Sequence, residues 1–251
     1  MAAQKNKKRL DTLLVDRELT PTRAKARSLI MQGAVFVNGE RVDKAGALVK
    51  EDSEITVKDS SQKYVGRGGL KLEAALKEFD IAVSDKTALD IGASTGGFTD
   101  CLLQHGAGKV YAVDVGYGQL DWKLRNDPRV EVLEKLNARY LKPSDIGEPV
   151  DIAVIDVSFI SLTMVIPPLT QILKQGGVLV ALIKPQFEVG KGEVGKGGIV
   201  RDESKHTQVV EKISAFLTNL DFTVTGVIPS PILGAEGNKE FLISAFTPPQ
   251  S

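Results

Sequence analysis

The sequence predicts an α/β protein in which a small α+β domain precedes a larger domain built on a seven-stranded sheet. From residue 87 onward, short apolar runs alternate with segments of helix length, which is typical of a parallel sheet with helices on both faces. Before that, residues 9–58 follow the pattern of two short helices, a hairpin and a further strand. The polar, glycine-rich stretch 59–69 predicts a linker, so we expect domains at 1–58 and 70–251.

Charge and composition exclude several classes of protein. The 251 residues hold 32 basic and 32 acidic side chains, yet residues 1–30 hold eight basic and three acidic ones, a local charge of +5. One cysteine, Cys101, excludes an internal disulfide, and neither His105 nor His206 has a partner at metal-ligand spacing, so no metal site is expected. No apolar run approaches the roughly 18 residues of a membrane span, and no signal peptide is recognisable. We therefore expect a cytoplasmic protein.

The first domain is predicted element by element. Leucines at helical spacing predict a first helix over about 10–19. A second helix is predicted over about 21–32, with Thr20 as its N-cap and proline at its first position. The Asn38-Gly39 pair between two apolar runs predicts a type I′ hairpin, and residues 54–57 predict the last strand.

Basic side chains decorate the second helix of this domain. Charge alone fits a phosphate-binding surface and a plain solvated helix face equally well. The string RLDTLLVDRELTPTRAKARSLIMQGAVFVNGERV, however, resembles the RNA-binding domain first seen in ribosomal small-subunit protein four, over roughly residues 8–57. That resemblance implies recognition of structured RNA by shape and backbone. The candidate RNA-binding residues are Arg9, Arg23, Lys25 and Arg27, with Arg67 at the start of the next helix.

The second domain contains seven predicted strands, with a helix near 204–220 before the last two. The last two strands can pair as an antiparallel hairpin at the edge of the sheet. The predicted strands are 88–91, 110–114, 130–133, 152–156, 177–184, 223–227 and 240–246.

A glycine-rich loop follows the first of these strands, where ligands of such sheets bind. The G-x-G-x-x-G fingerprint of nicotinamide-dinucleotide proteins is missing from DIGASTGG, although Asp114 ends the second strand where a carboxylate can hold ribose hydroxyls. The loop instead resembles the S-adenosylmethionine (SAM) loop of Rossmann-like methyltransferases, which implies SAM as the cofactor. The candidate cofactor-binding residues are Asp90, Gly92, Ser94, Gly96, Gly97, Phe98, Asp114 and Asn137.

The residues after the fourth strand limit which kind of chemical group can accept the methyl. Residues 156–159 read Asp-Val-Ser-Phe, without the two prolines of the amino-methyltransferase motif. Cys101 lies on a predicted helix, where a buried inert thiol is far more common than a nucleophile. A hydroxyl acceptor needs a base or a group that orients it, and Lys184, at the end of a buried strand, is suited to that task. Lys71 and Glu240, taken alone, fit an ordinary ion pair better than a catalytic role.

Together, four residues resemble the Lys–Asp–Lys–Glu tetrad of FtsJ/RrmJ-like ribose 2′-O-methyltransferases: Lys71, Asp156, Lys184 and Glu240. With the N-terminal domain and the strings GRGGLKLEAAL, DIGASTGGFTD, DVSFISL, KPQFE, GIVRD and GNKEFL, nearly the whole chain is similar to the TlyA family. That resemblance implies a bacterial rRNA cytidine 2′-O-methyltransferase whose partners are ribosomal RNA or ribosomal subunits, with no DNA or membrane expected. Ser94-Thr95 departs from the Ala-Pro of FtsJ relatives, which leaves the individual loop contacts open.

Two other functions stay open at this point. Many TlyA relatives carry the name hemolysin, which implies a membrane-active protein, but the sequence offers no apolar span and no strongly amphipathic basic helix. A non-catalytic RNA-binding protein that has lost its chemistry is the other alternative, and the complete tetrad argues against it.

Overall fold

The fold is taken from a computed structural model that describes residues 7–31, 33–57, 63–190, 192–195, 197–234 and 237–248. The chain divides into two compact units, Met1–Gln62 and Lys63–Ser251. The predicted α/β class is confirmed, because the second unit holds a seven-stranded sheet and the first holds short strands and two helices.

The first unit packs two helices against short antiparallel strands. Its elements are β1 (Lys7–Arg9), α1 (Leu10–Asp16), α2 (Arg23–Met31), β2 (Val35–Val37), β3 (Glu40–Arg41), β4 (Leu48–Lys50) and β5 (Ile55–Val57). β1 pairs with β4, and the other three strands form a sheet in the order β3-β2-β5. Leu10, Leu14, Ile30 and Val35 are fully buried and form the centre of this small core.

The predicted hairpin of the first unit is confirmed. Asn38 and Gly39 connect β2 to β3 with φ angles of 51° and 81°, the positive values that a type I′ turn requires. The predicted start of the second helix is wrong. α2 begins at Arg23, and the hydroxyl of Thr22, not of Thr20, accepts a hydrogen bond from the Lys25 N–H at 3.2 Å. Thr22 is therefore the N-cap, and Pro21 precedes it instead of opening the helix.

The second unit is a single sheet with helices on both faces. Its strands are β6 (Thr87–Ile91), β7 (Lys109–Asp114), β8 (Val130–Glu134), β9 (Val150–Ile155), β10 (Leu173–Ile183), β11 (Thr223–Pro229) and β12 (Phe241–Phe246). Its helices are α3 (Gly68–Glu78), α4 (Gly97–Gln104), α5 (Trp122–Arg125), α6 (Pro143–Ile146), α7 (Leu162–Val165), α8 (Pro185–Glu188) and α9 (Glu203–Asn219), with 3₁₀ turns at Ala138–Tyr140 and Pro167–Gln171.

The strand order is β11-β12-β10-β9-β6-β7-β8. The strands from β10 to β8 run parallel, and β12 is inserted antiparallel between β10 and β11. The chain moves outward from β6 through β7 to β8, then returns to β9 on the other side of β6. The order therefore reverses between β6 and β9, and a crevice at their carboxyl ends is the expected ligand site.

Both faces of this sheet are covered, as the unbroken apolar strands require. Along β9, Ile152 and Val154 pack into the core beneath α3 and α4, while Ala153 and Ile155 pack into the core beneath α7 and α9. All four side chains are fully buried. The sheet is consequently fixed from both sides, and only its edges and strand ends are accessible.

Part of the segment that the sequence assigns to the linker packs against the second unit. Residues 59–62 lie outside the described residues, whereas Lys63–Gly69 belongs to the second unit. Tyr64 is buried, and the N–H of Val65 donates a hydrogen bond to the Asp100 carboxylate at 2.8 Å. α3 begins at Gly68, so the stretch before it is held beside α4.

Candidate active site

The loop after β6 contains two glycines in a backbone conformation that other residues rarely adopt. Gly92 and Gly96 have φ angles of 83° and 98°, in the left-handed region. A Cβ on Gly92 would overlap the carbonyl oxygen of Asp156, the residue that follows β9. The missing side chain thus lets the loop approach the end of the neighbouring strand, and Asp156 lies at the switch point of the sheet.

The segment before α3 forms a second wall of this site. A Cβ on Gly97 would lie 3.0 Å from the Gly69 nitrogen and 3.3 Å from the Gly66 oxygen. A Cβ on Gly68 would lie 3.7 Å from Oδ2 of Asp156. Backbone therefore packs on backbone here, and the first turn of α3 reaches the carboxylate at the end of β9. The sequence alone predicts a linker for Gly66, Gly68 and Gly69 and gives no sign of this contact.

A cavity of about 440 Å³ opens between the glycine loop and the ends of β7 and β9. Its walls combine apolar side chains with a few polar groups, which is typical of small-molecule sites. Four of the predicted cofactor residues line it, namely Gly92, Ser94, Asp114 and Asn137, and so does Asp156 of the tetrad. Apolar walls come from Val113, Leu136, Ile160 and Val165.

Asp114 and Asn137 are held in place by backbone groups. The Asp114 carboxylate accepts hydrogen bonds from the N–H of Ser94 at 2.8 Å and of Gly116 at 2.6 Å. The Asn137 side-chain oxygen accepts a hydrogen bond from the Arg139 N–H at 3.1 Å and caps the 3₁₀ turn that follows. Both side chains therefore line the cavity in fixed positions. The ribose contact predicted for Asp114 and the adenine contact predicted for Asn137 would need no rearrangement of these side chains.

A smaller cavity of about 210 Å³ adjoins the loop on the side of α3. Gly97 and Phe98 line it together with Arg67, Asp156, Ser158 and Lys184. Gly96 does not line either cavity; a Cβ there would overlap Leu124, so its role is in packing the loop. The predicted cofactor residues are therefore divided between the two cavities and the loop interior.

Asp90 lies beneath the loop, away from both cavities. It is fully buried, and its Oδ2 accepts a hydrogen bond from the Thr99 hydroxyl at 2.6 Å, whereas its Oδ1 has no hydrogen-bond partner among the described residues. Burial raises the pKa of Asp90 to about 7, because the charged form loses its hydration. The structure thus places this carboxyl outside the lining of both cavities, and its predicted role in cofactor binding stays a prediction.

The raised pKa of Asp90 makes the stability of the second unit pH-dependent. The folded protein keeps this proton up to about pH 7, while an unfolded chain loses it near pH 4, so stability from this group falls as the pH rises through that window. We expect Asp90→Asn to remove about 2–4 kcal/mol of that fall. Urea denaturation of both proteins between pH 4.5 and pH 8 measures how the free energy of unfolding changes with pH. Parallel stability curves would contradict the prediction.

The four tetrad residues form two ion pairs. Lys184, directly after β10, lies with its Nζ 2.6 Å from Oδ1 of Asp156, and the same Nζ donates a hydrogen bond to the Ser158 hydroxyl at 3.0 Å. Lys71, in the first turns of α3, donates to Glu240 at 2.5 Å, and both side chains are almost entirely buried. A Cβ on Gly234 would overlap the Glu240 carboxylate, so that glycine leaves room for it.

Three residues of this region escaped sequence analysis. Ser158 contacts Lys184, and its position two residues after Asp156 was the available signal. Glu188 is buried and accepts hydrogen bonds from the Leu162 N–H at 2.7 Å and the Ser161 hydroxyl at 2.6 Å, which connects α8 to the start of α7.

The third of these residues, Phe159, is 90% exposed at a φ angle of 63°, with its ring 5.0 Å from that of Phe187. Nothing in the hydrophobic periodicity could have indicated this exposed, strained phenylalanine.

Of the predicted RNA-binding residues, three meet on one carboxylate in the first unit. Arg9, Arg23 and Arg27 all contact the buried carboxylate of Asp11. Lys25 is exposed and takes no part in this cluster. Arg67 is exposed and lines the smaller cavity of the second unit.

Comparison with known proteins gives matches over both units. Residues 64–246 match the FtsJ-like methyltransferase family, and residues 8–55 match the S4 domain. The 16S/23S rRNA (cytidine-2′-O)-methyltransferase TlyA of Mycobacterium tuberculosis is 47% identical over 236 residues, which cover 94% of this chain and 88% of that protein. Hemolysin A of Brachyspira hyodysenteriae is 45% identical, with coverage of 93% of this chain and 98% of that protein.

One solved structure is similar over nearly the whole chain. It is that of a Streptococcus thermophilus protein named as a hemolysin, with 48% identity and a TM-score of 0.76. The match covers 98% of this chain and 91% of that one. Among the residues described here, no helix has the length and apolar character that crossing a membrane requires.

Proposed function

The chain belongs to the FtsJ-like methyltransferase family, in the TlyA group that adds an S4 domain, and from that membership we propose that it methylates the 2′-hydroxyl of cytidine in ribosomal RNA with SAM as the methyl donor. The observation that carries the proposal is the Lys184–Asp156 ion pair, because Asp156 lines both cavities and Lys184 adds a cation to the smaller one. The relative from Mycobacterium tuberculosis is named for the same reaction on 16S and 23S rRNA.

The larger cavity supports SAM as the ligand. Its size suits a nucleoside cofactor, the Asp114 carboxylate can accept hydrogen bonds from the ribose hydroxyls, and the apolar walls can cover an adenine ring. Asn137 lines the same cavity, and its amide can form hydrogen bonds with that ring. The residues present therefore fit SAM, which supplies an electrophilic methyl group on a sulfonium when bound.

The polar groups support a hydroxyl acceptor. Cys101 is fully buried in α4 and its pKa is raised to about 12 by burial, so it cannot serve as the nucleophile of a carbon methyltransferase. Lys184 Nζ, held by Asp156 and Ser158, is placed to orient the 2′-hydroxyl or to accept its proton. Lys71 and Glu240 complete the site by fixing the start of α3, whose first turn reaches Asp156.

The first unit supports a large, structured RNA as the substrate. Its exposed arginines can neutralise phosphates, whereas a small-molecule methyltransferase needs no such surface. Arg67 carries the same chemistry to the rim of the smaller cavity. We infer that the S4 domain binds ribosomal RNA while the sheet holds SAM and the target ribose.

Treatment of bacterial ribosomal subunits with the protein and SAM tests the proposal. We expect new 2′-O-methylcytidine in rRNA, detected by mass spectrometry of the nucleosides and located by nuclease mapping, and none when SAM is omitted. Methyl groups found only on base nitrogen or carbon would contradict the hydroxyl assignment. Failure to bind SAM in calorimetric titration would favour a non-catalytic RNA-binding protein instead.

A further inference from the structure

One buried carboxylate organises the basic surface of the first unit. Asp11, in the first turn of α1, has no exposed surface. Arg9 donates two hydrogen bonds to it, from Nε to Oδ1 and from Nη2 to Oδ2, each at 3.0 Å. Arg23 and Arg27 each donate from Nε to Oδ2, at 3.0 and 3.1 Å. Three guanidinium groups therefore converge on a single acceptor.

This carboxylate has no evident purpose if the surface works by charge alone. A negative charge at the centre of a phosphate-binding face weakens its attraction for RNA. The apolar packing of α1 is already provided by Leu10, Leu13 and Leu14, which fill the core. The arginines, led by Arg9, hold the pKa of Asp11 well below its usual range, so this carboxylate stays charged at neutral pH and in acidic solution as well. A permanent charge in this place calls for a different explanation.

The way the arginines bind Asp11 leaves their outer ends available. Arg23 and Arg27 use only Nε, and no hydrogen bond of the described residues engages their Nη groups. The three arginine side chains remain about half exposed, at 44%, 50% and 52%. Because the Nη groups are the donors that bind a phosphate in pairs, Arg23 and Arg27 are anchored at Nε and present both Nη groups, whereas Arg9, which also binds Asp11 through Nη2, presents only Nη1.

Without Asp11 these arginines would not stay together. Arg23 and Arg27 are one helical turn apart on α2, where like charges repel. Free arginine side chains also occupy many rotamers, and RNA binding would have to restrict them. Anchoring by Asp11 removes both costs before the ligand arrives, which is the general advantage of preorganisation.

We propose that Asp11 is a positioning residue that fixes Arg9, Arg23 and Arg27 as a rigid array for neighbouring phosphates of an RNA backbone. The proposal rests on the proposed function for the identity of the ligand as RNA. It adds that geometry, and not the net charge of the face, sets the affinity of this unit for RNA.

The substitution Asp11→Asn, made in the whole chain, distinguishes the two explanations, because net charge and arginine positioning predict opposite changes in RNA affinity. Loss of a negative charge alone would tighten RNA binding, whereas loss of the anchor is expected to weaken it roughly tenfold or more. Asp16→Asn is the matched control, because Asp16 lies on the same helix, pairs with Lys8 and is 42% exposed. The measurement is filter binding of deproteinised bacterial 16S and 23S rRNA over a range of KCl concentrations. Equal or tighter binding by Asp11→Asn, as for Asp16→Asn, would overturn the proposal.

Kinetics separate positioning from a general structural defect. We expect Asp11→Asn to raise KM for rRNA while kcat and the Kd for SAM stay unchanged. A fall in kcat with an unchanged KM would refute the positioning role. If the first unit of this variant is unfolded by circular dichroism, Arg23→Lys with Arg27→Lys keeps the charge and removes the fork; unchanged rRNA affinity in that variant overturns the proposal equally.

The same experiments distinguish this proposal from the proposed function. An unmodified protein that forms 2′-O-methylcytidine, with Asp11→Asn and Asp16→Asn behaving alike, refutes the array and leaves the reaction standing. A protein that forms no 2′-O-methylcytidine, but whose rRNA affinity falls in Asp11→Asn alone, refutes the reaction and leaves the array standing.

Discussion

Lys184→Met is expected to reduce methyl transfer to rRNA by about 10²–10⁴-fold, the range that removal of a general acid–base group commonly produces. Nζ of Lys184 is the group that joins Asp156 and Ser158 at the junction of the two cavities. Methionine preserves most of the length and apolar stem of lysine, so the packing after β10 should survive. The loss is therefore expected in kcat, with the Kd for SAM close to that of the unmodified protein.

The matched control for this variant is a lysine at the other end of β10. Lys174, at the start of β10, pairs with Asp151 at 2.8 Å on the surface, whereas Lys184 follows the end of that strand. Lys174→Met should leave methyl transfer unchanged. Transfer of tritium from labelled SAM to ribosomal subunits measures turnover, and calorimetry measures SAM binding. Turnover by Lys184→Met at the rate of Lys174→Met would exclude Lys184 from the mechanism.

Glu240→Ala is expected to destabilise the second unit by about 3–5 kcal/mol, because it leaves the Lys71 ammonium buried without its partner. The side chains of Lys71 and Glu240 are 9% and 2% exposed, so water cannot replace the lost carboxylate. Lys239→Ala breaks a pair with Glu203 whose members are 55% and 70% exposed, and it should cost less than about 1 kcal/mol. Urea denaturation followed by circular dichroism compares the two variants.

The double variant Lys71→Met with Glu240→Leu separates stability from chemistry. Replacing both members of a buried ion pair with apolar residues of similar size is often neutral for stability, so we expect the double variant to be more stable than Glu240→Ala. If the pair also contributes to the site, the stable double variant will still transfer methyl groups at least about ten times more slowly. Full activity in that variant would show that the Lys71–Glu240 pair stabilises the fold and takes no part in methyl transfer.

Much of this architecture is predictable from the sequence because its signals are local. Asp114 ends β7, and Asp156 and Lys184 follow β9 and β10 directly, because apolar runs that are buried on both faces leave little freedom in where a strand stops. The Asn38-Gly39 turn is equally local, since only its φ angles decide it.

The features that escaped prediction depend on contacts between distant segments. β1 and β4 are three residues each, and their pairing joins Lys7–Arg9 to Leu48–Lys50, with no periodic pattern long enough to reveal it. The glycines of the presumed linker have meaning only beside Gly97, and Asp11 gains its role only when Arg23 and Arg27 fold back onto it. Chain composition shows that these residues are small or charged, but not which partner they meet.

The antiparallel insertion of β12 has a consequence for biosynthesis. Phe241 pairs with Ile183, so the start of β12 lies beside the end of β10, and Glu240 arrives next to Lys71 only after about 170 further residues have been made. Until then β10 has an unpaired edge and the Lys71 ammonium lacks its counter-ion. A nascent chain still emerging from a ribosome therefore holds the glycine loop after β6 and Lys184 but not the finished site, which confines activity to molecules that have completed translation through this strand.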